Sequence, residues 1–186
     1  MMQGPLYPYR GKMPKVHPSA WIAPTAAIIG DVEIGEGANI WFHCVIRGDV
    51  NHVRIGARTN IQDGSILHVN RATHACIIGD DVTVGHMAII HACTLKDRAF
   101  VGMGAIVLDG ATIEETGMLA AGAVLTPNKV IKAGELWAGS PAAFMRKLEE
   151  KDAFFAKTAP HYAELGAEYR TEYAALRGAA LRGAAE

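Results

Sequence analysis

Bulky aliphatic residues recur at every sixth position along most of this chain, through Ile22, Ile28, Ile34, Ile40 and Ile46, then Ile55, Ile61 and Leu67, then Ile78, Val84 and Ile90. From Leu95 the series continues without a break through Val101, Val107, Ile113, Leu119, Leu125, Ile131 and Trp137. Four positions after most of these anchors stands a small or β-branched residue, among them Val32, Ala38, Cys44, Val50, Thr59, Ser65, Val82, Ala88, Thr94, Ala105 and Ala123. Glycine often follows the anchor directly, as in Ile34-Gly35 and Val84-Gly85. In such a repeat each six-residue unit is one short strand plus a corner, and three units close one triangular coil. The pattern therefore predicts an all-β solenoid, a parallel β-helix of hexapeptide repeats.

The repeat breaks at Gly139-Ser140-Pro141-Ala142. This divides the chain into residues 1–140, an N-terminal segment with the β-helix, and residues 141–186, expected to be helical and to pack on the solenoid. There Phe144, Leu148, Phe154 and Phe155, then Tyr162, Leu165, Tyr169 and Tyr173, stand among charges at three-to-four spacing. That spacing predicts one or two amphipathic helices. The Ala- and Gly-rich stretch from Leu176 to Glu186 is expected to fray.

Composition narrows the classes of function. Half of the 186 residues are apolar, enough for one good core, and the formal net charge of −1 gives no electrostatic reason to expect nucleic acid or an anionic membrane as partner. No run is long and apolar enough to span a bilayer, and Met1 to Lys12 lacks the apolar stretch of a signal peptide, so a cytoplasmic protein is expected. Cys44, Cys76 and Cys93 lack metal-ligand spacing and read as buried free thiols.

The register of the repeat then sorts the histidines. The units beginning at Ile46, Leu67 and Ile90 are the fifth, eighth and eleventh, so they share one face in successive coils, and each anchor is followed by an outward polar residue: Arg47, His68 and His91. Neighbouring strands lie about 4.8 Å apart, which lets His68 and His91 share one metal ion. His86 belongs to the tenth unit, on a different face together with Gln62, and cannot reach that pair within one chain. A threefold ring would bring the Arg47, His68 and His91 face of one subunit against the Gln62 and His86 face of the next. Three histidines with a fourth position open to water is the donor set of catalytic zinc. The competing reading is a set of solvated or interface side chains.

Arg47-Gly48-Asp49, Asn60-Ile61-Gln62-Asp63, Ile66-Leu67-His68, Val84-Gly85-His86, Ile90-His91 and Gly139-Ser140-Pro141-Ala142 together resemble the gamma-class carbonic anhydrases and their bacterial homologues, in order and spacing from about Val16 to Leu148. The resemblance implies a left-handed β-helix and a homotrimer. It further implies a zinc ion, or Fe2+ or Co2+, held by His68 and His91 of one subunit and His86 of the next, with carbon dioxide and bicarbonate as substrates. Under it Arg47 and Asp49 are similar to the family's interface ion pair and bicarbonate-orienting group, and a structural salt bridge is the alternative. Gln62 resembles the residue that hydrogen-bonds the attacking hydroxide. Asp63 resembles another charged partner of the Arg, and Asn60 a group supporting the site. Tyr162 resembles a tyrosine that approaches the site from the terminal helix, with plain packing as its alternative. One departure stands out: neither residues 48–52 nor residues 69–74 contain the glutamates that carry protons away in the archetype, which leaves His52 and His74 as candidates for that task. Two other functions stay open at this stage: hydrolysis of coenzyme A thioesters at the same metal, and a non-catalytic trimeric scaffold.

Overall fold

The computed structural model describes residues 4–183, with side chains to Leu176. It is a left-handed β-helix of seven coils followed by a single long helix. Most strands are two or three residues long, but Ala27–Ile34 and Val45–Ile55 run through a corner without interruption and join two faces into one twelve-stranded sheet. The third face is an eight-stranded sheet.

The anchors form the core, as the spacing predicts. Ile22, Ile28, Ile40, Ile46, Ile61, Leu67, Ile90, Leu95, Ile113, Leu119 and Leu125 are among the largest fully buried side chains. They stack in register from coil to coil, Ile40 on Ile61 and Ile61 on Val84, so each anchor covers the one below it. Small residues fill the corners because the triangle narrows there. Two of the buried ones are polar, and both are satisfied: Thr59 donates to the Gly79 carbonyl at 2.7 Å and Ser65 to the Gly85 carbonyl at 3.0 Å. Two predicted inward positions differ. Val50 and Thr94 are only half-buried: the spacing lengthens to nine residues between Ile46 and Ile55, where Val53 takes the inward place, and contracts to five between Ile90 and Leu95, where Cys93 takes it.

The segment after the repeat departs from its predicted helix. Ala142–Lys147 is a strand that returns antiparallel along Glu135–Gly139 and closes the end of the third face. A short 3-10 segment, Glu150–Lys157, follows, and Thr158–Gly183 is one α-helix. Arg146 reaches Asp152 with two hydrogen bonds, at 2.6 and 2.8 Å, and so ties the strand to the 3-10 segment. The helix continues through Gly183, into the stretch expected to fray, and residues 184–186 lie outside the described ones. Tyr162 and Tyr169 pack edge-on against Trp41, each with ring centroids 5.2 Å apart. At Gly166 the helix comes close to the third face: a Cβ there would lie 2.9 Å from the Asn39 Cβ. Among the described residues no helix is long and apolar enough to cross a membrane.

Candidate metal centre

His68 and His91 occupy the position that the register predicts. Ile46 pairs with Leu67, Leu67 with Ile90 and His68 with His91, so the two rings project from one face in adjacent coils. His68 Nδ1 and His91 Nε2 stand 3.2 Å apart. Two nitrogens held at about 2.1 Å in a tetrahedral zinc site are separated by about 3.3 to 3.4 Å, so the pair fits two corners of such a site.

The far side of each ring meets a carboxylate. His68 Nε2 is 3.1 Å from Asp49 Oδ1, and His91 Nδ1 is 2.5 Å from Asp109 Oδ1. Asp49 is in turn paired with Arg47 of its own chain and accepts the Val50 amide at 2.7 Å. Burial works against ionisation of the Asp49 carboxyl, but the hydrogen bonds from Arg47, His68 and Val50 outweigh it and hold the group below the usual carboxylate range. Asp109 follows the same balance: burial opposes its charge, and the bonds from His91 and Asn70 lower its pKa nonetheless. His68 titrates below an ordinary histidine because burial disfavours the cation, and the Asp49 hydrogen bond, which favours it, offsets this only in part. A depressed pKa keeps its ring nitrogen unprotonated, as a metal ligand must be.

His86 lies on the third face, two residues past the Thr83–Val84 strand, and its Nδ1 meets Asp63 Oδ2 at 2.9 Å. Asp63 therefore contacts a histidine within the chain, whereas the resemblance implies an Arg as its partner. Beside it Gln62 donates Nε2 to Asn60 Oδ1 at 3.0 Å, and Asn60 is itself anchored on the Val82 carbonyl at 3.2 Å and Thr83 Oγ1 at 2.9 Å. With its amide nitrogen so engaged, Gln62 presents its carbonyl oxygen as the remaining acceptor. Gln62, His86, Phe100, Met103, Arg146 and Tyr162 line one open groove, so the terminal helix does bring Tyr162 to the neighbourhood of His86. Within one chain and among the described residues, no group of three or more His, Cys, Asp or Glu is arranged around a metal position.

The remaining candidates fall elsewhere. His52 sits on the long strand Val45–Ile55, where its backbone amide bonds to the Asn51 side chain. His74 lies over the corner at Gly110, where a Cβ would come within 3.1 Å of His74 Nε2. Neither makes a hydrogen bond to His68 or His91 among the described residues. Asp109 is the residue that sequence reasoning missed. Its level was readable, since it stands two positions past Val107, the anchor that pairs with Ile90 one coil away, but its aim at His91 was not.

Comparison with known proteins gives the geometry its context. Residues 13–48 match the family model described as bacterial transferase hexapeptide (six repeats). The chain is 48% identical over 169 residues to gamma carbonic anhydrase 1, mitochondrial, of Arabidopsis thaliana, covering 88% of this chain and 62% of that protein. It thus spans about six tenths of the length of that plant relative. A carbonic anhydrase of Geobacillus kaustophilus is 45% identical over 147 residues, covering 79% of this chain and 80% of the relative. Among solved structures, a hexapeptide transferase family protein from Anaplasma phagocytophilum superposes with a TM-score of 0.86 at 48% identity, covering 91% of this chain and 99% of that one. A putative acetyltransferase of Bacillus cereus superposes with a TM-score of 0.87 at 42% identity, covering 89% and 96%.

Proposed function

This chain belongs to the gamma carbonic anhydrase family of hexapeptide-repeat proteins, and we propose that it catalyses reversible hydration of carbon dioxide to bicarbonate at a metal shared between subunits of a homotrimer. The observation that carries the reading is the His68 and His91 pair, with nitrogens at 3.2 Å and a carboxylate behind each ring. His86 of the partner subunit completes the donor set in this reading. When bound, zinc, or Fe2+ or Co2+ in its place, supplies a hydroxide nucleophile from water near neutral pH.

The chain's own residues prepare the ground for that chemistry. Asn60 fixes the Gln62 amide, so its carbonyl oxygen is aimed rather than free to rotate, and an aimed acceptor orients the attacking group without reorganising during the reaction. Arg47, held by Asp49, offers a cation to the bicarbonate product. Phe100 and Met103 line the groove beside His86 and give apolar carbon dioxide a favourable approach.

The test is anaerobic purification followed by metal analysis and stopped-flow hydration on one sample. About one metal ion per chain is expected, with hydration that disappears in His68→Ala and His86→Ala. Metal-replete protein without hydration would overturn the reading. A titration with coenzyme A and acetyl-coenzyme A addresses the transferase names that two structural neighbours carry. Tight binding of either would redirect the assignment to acyl chemistry.

A further inference from the structure

Each candidate ligand histidine touches one carboxylate: Asp49 behind His68, Asp63 behind His86 and Asp109 behind His91. Asp109 is the most completely held of the three. Its Oδ1 faces His91 Nδ1 at 2.5 Å, and its Oδ2 accepts from Asn70 Nδ2 at 2.8 Å. The backbone of Asn70 is itself fixed, since its N–H donates to the His74 carbonyl at 3.1 Å and its main-chain carbonyl accepts from Asn51 Nδ2 at 3.1 Å. The backbone around Asp109 is pinned from both sides. Asn128 donates to the Asp109 carbonyl at 3.0 Å from the coil beyond, and Gly110, at φ +68°, donates to the Ala92 carbonyl at 2.9 Å in the coil before.

We propose that Asp109 is a positioning residue for His91, and that Asn70 holds Asp109 to this task. A carboxylate on Nδ1 selects the tautomer with its proton there, which leaves the Nε2 lone pair directed at the metal position beside His68. It also raises the basicity of the ligand nitrogen and stops the ring from turning. Partners of this kind behind metal-bound histidines change affinity by about 10 to 100-fold when removed. The proposal rests on the reading of His68 and His91 as ligands. A purely structural Asp109 would brace the corner and the 69–75 loop, and its loss would lower stability without selectively weakening metal binding.

The experiment uses the full-length protein and three variants, Asp109→Asn, Asp109→Ala and Asn70→Ala. Asp109→Asn keeps the size of the side chain but offers one acceptor oxygen to two donors, so it guards against a variant that simply fails to fold. Zinc affinity is measured by chelator competition, and the His91 tautomer by ring nitrogen chemical shifts in metal-free protein. Wild type is expected to show the Nδ1-protonated ring. In both Asp109 variants the other tautomer gains population and zinc binds about 10 to 100-fold more weakly, with a smaller loss in the same direction for Asn70→Ala. Unchanged affinity and tautomer in folded Asp109→Asn overturn the proposal while leaving the metal reading intact. A wild-type protein that takes up no zinc, iron or cobalt overturns the metal reading first and this proposal with it.

Discussion

Cys44, Cys76 and Cys93 show how far single side chains inside the solenoid are removed from solvent. Burial pushes the Cys44 thiol up to about 12, and Cys93 is raised by its hydrogen bond with Cys76 and then by burial. Folded protein at pH 8 is therefore expected to leave all three thiols unreacted with a disulfide reagent, and denatured protein to titrate three per chain. Rapid reaction of even one thiol in native protein would mean that the coils open at that level. The same inward and outward logic made part of the site legible: His68 and His91 each follow an anchor, and counting anchors was enough to stack them. Asp109 was not legible in that way. It sits two places past its anchor, on a corner, and only the folded turn at Gly110 aims it at a ring 18 residues earlier.

At the scale of elements, the solenoid strands follow from the period, but the strand Ala142–Lys147 does not. Phe144 and Leu148 stand four apart, a spacing compatible with a helix face and equally with alternate positions of a strand. Pairing with Glu135–Gly139 decides between them, and that partner is a tertiary fact rather than a local propensity. The helix Thr158–Gly183 poses the opposite case, since its aromatic stripe was readable and its close approach at Gly166 was not. Gly166→Ala would ordinarily favour a helix by about 1 kcal/mol. Here the added Cβ meets the Asn39 Cβ at 2.9 Å, and Asn39 is not free to yield because its Oδ1 accepts the Trp41 indole at 2.7 Å. The substitution is expected to lower the melting temperature, by about 1 to 3 kcal/mol of stability as overpacking does; a rise would show that the helix can lift off the third face at no cost.

For the whole molecule, the proposed division of the site between two faces of the prism would make activity a property of the ring. His86→Ala and His91→Ala subunits, each inactive alone, should complement each other when mixed, denatured and refolded together. Random assembly pairs an intact first face with an intact third face at about a quarter of the interfaces, so about a quarter of wild-type hydration should return. No recovery from mixed trimers that form normally would place all ligands in one chain. The stacking of the site has an evolutionary corollary as well. Asp49, His68, His91 and Asp109 come from four successive levels of one face. Loss of a whole coil between them would leave a well-packed solenoid with its histidines out of step, whereas gain of a coil beyond Val124 would lengthen the prism and leave that four-level stack intact. Tolerance to insertion and deletion is therefore uneven along a chain whose core is uniform, and lineages can vary the far end of the prism while the middle keeps its length.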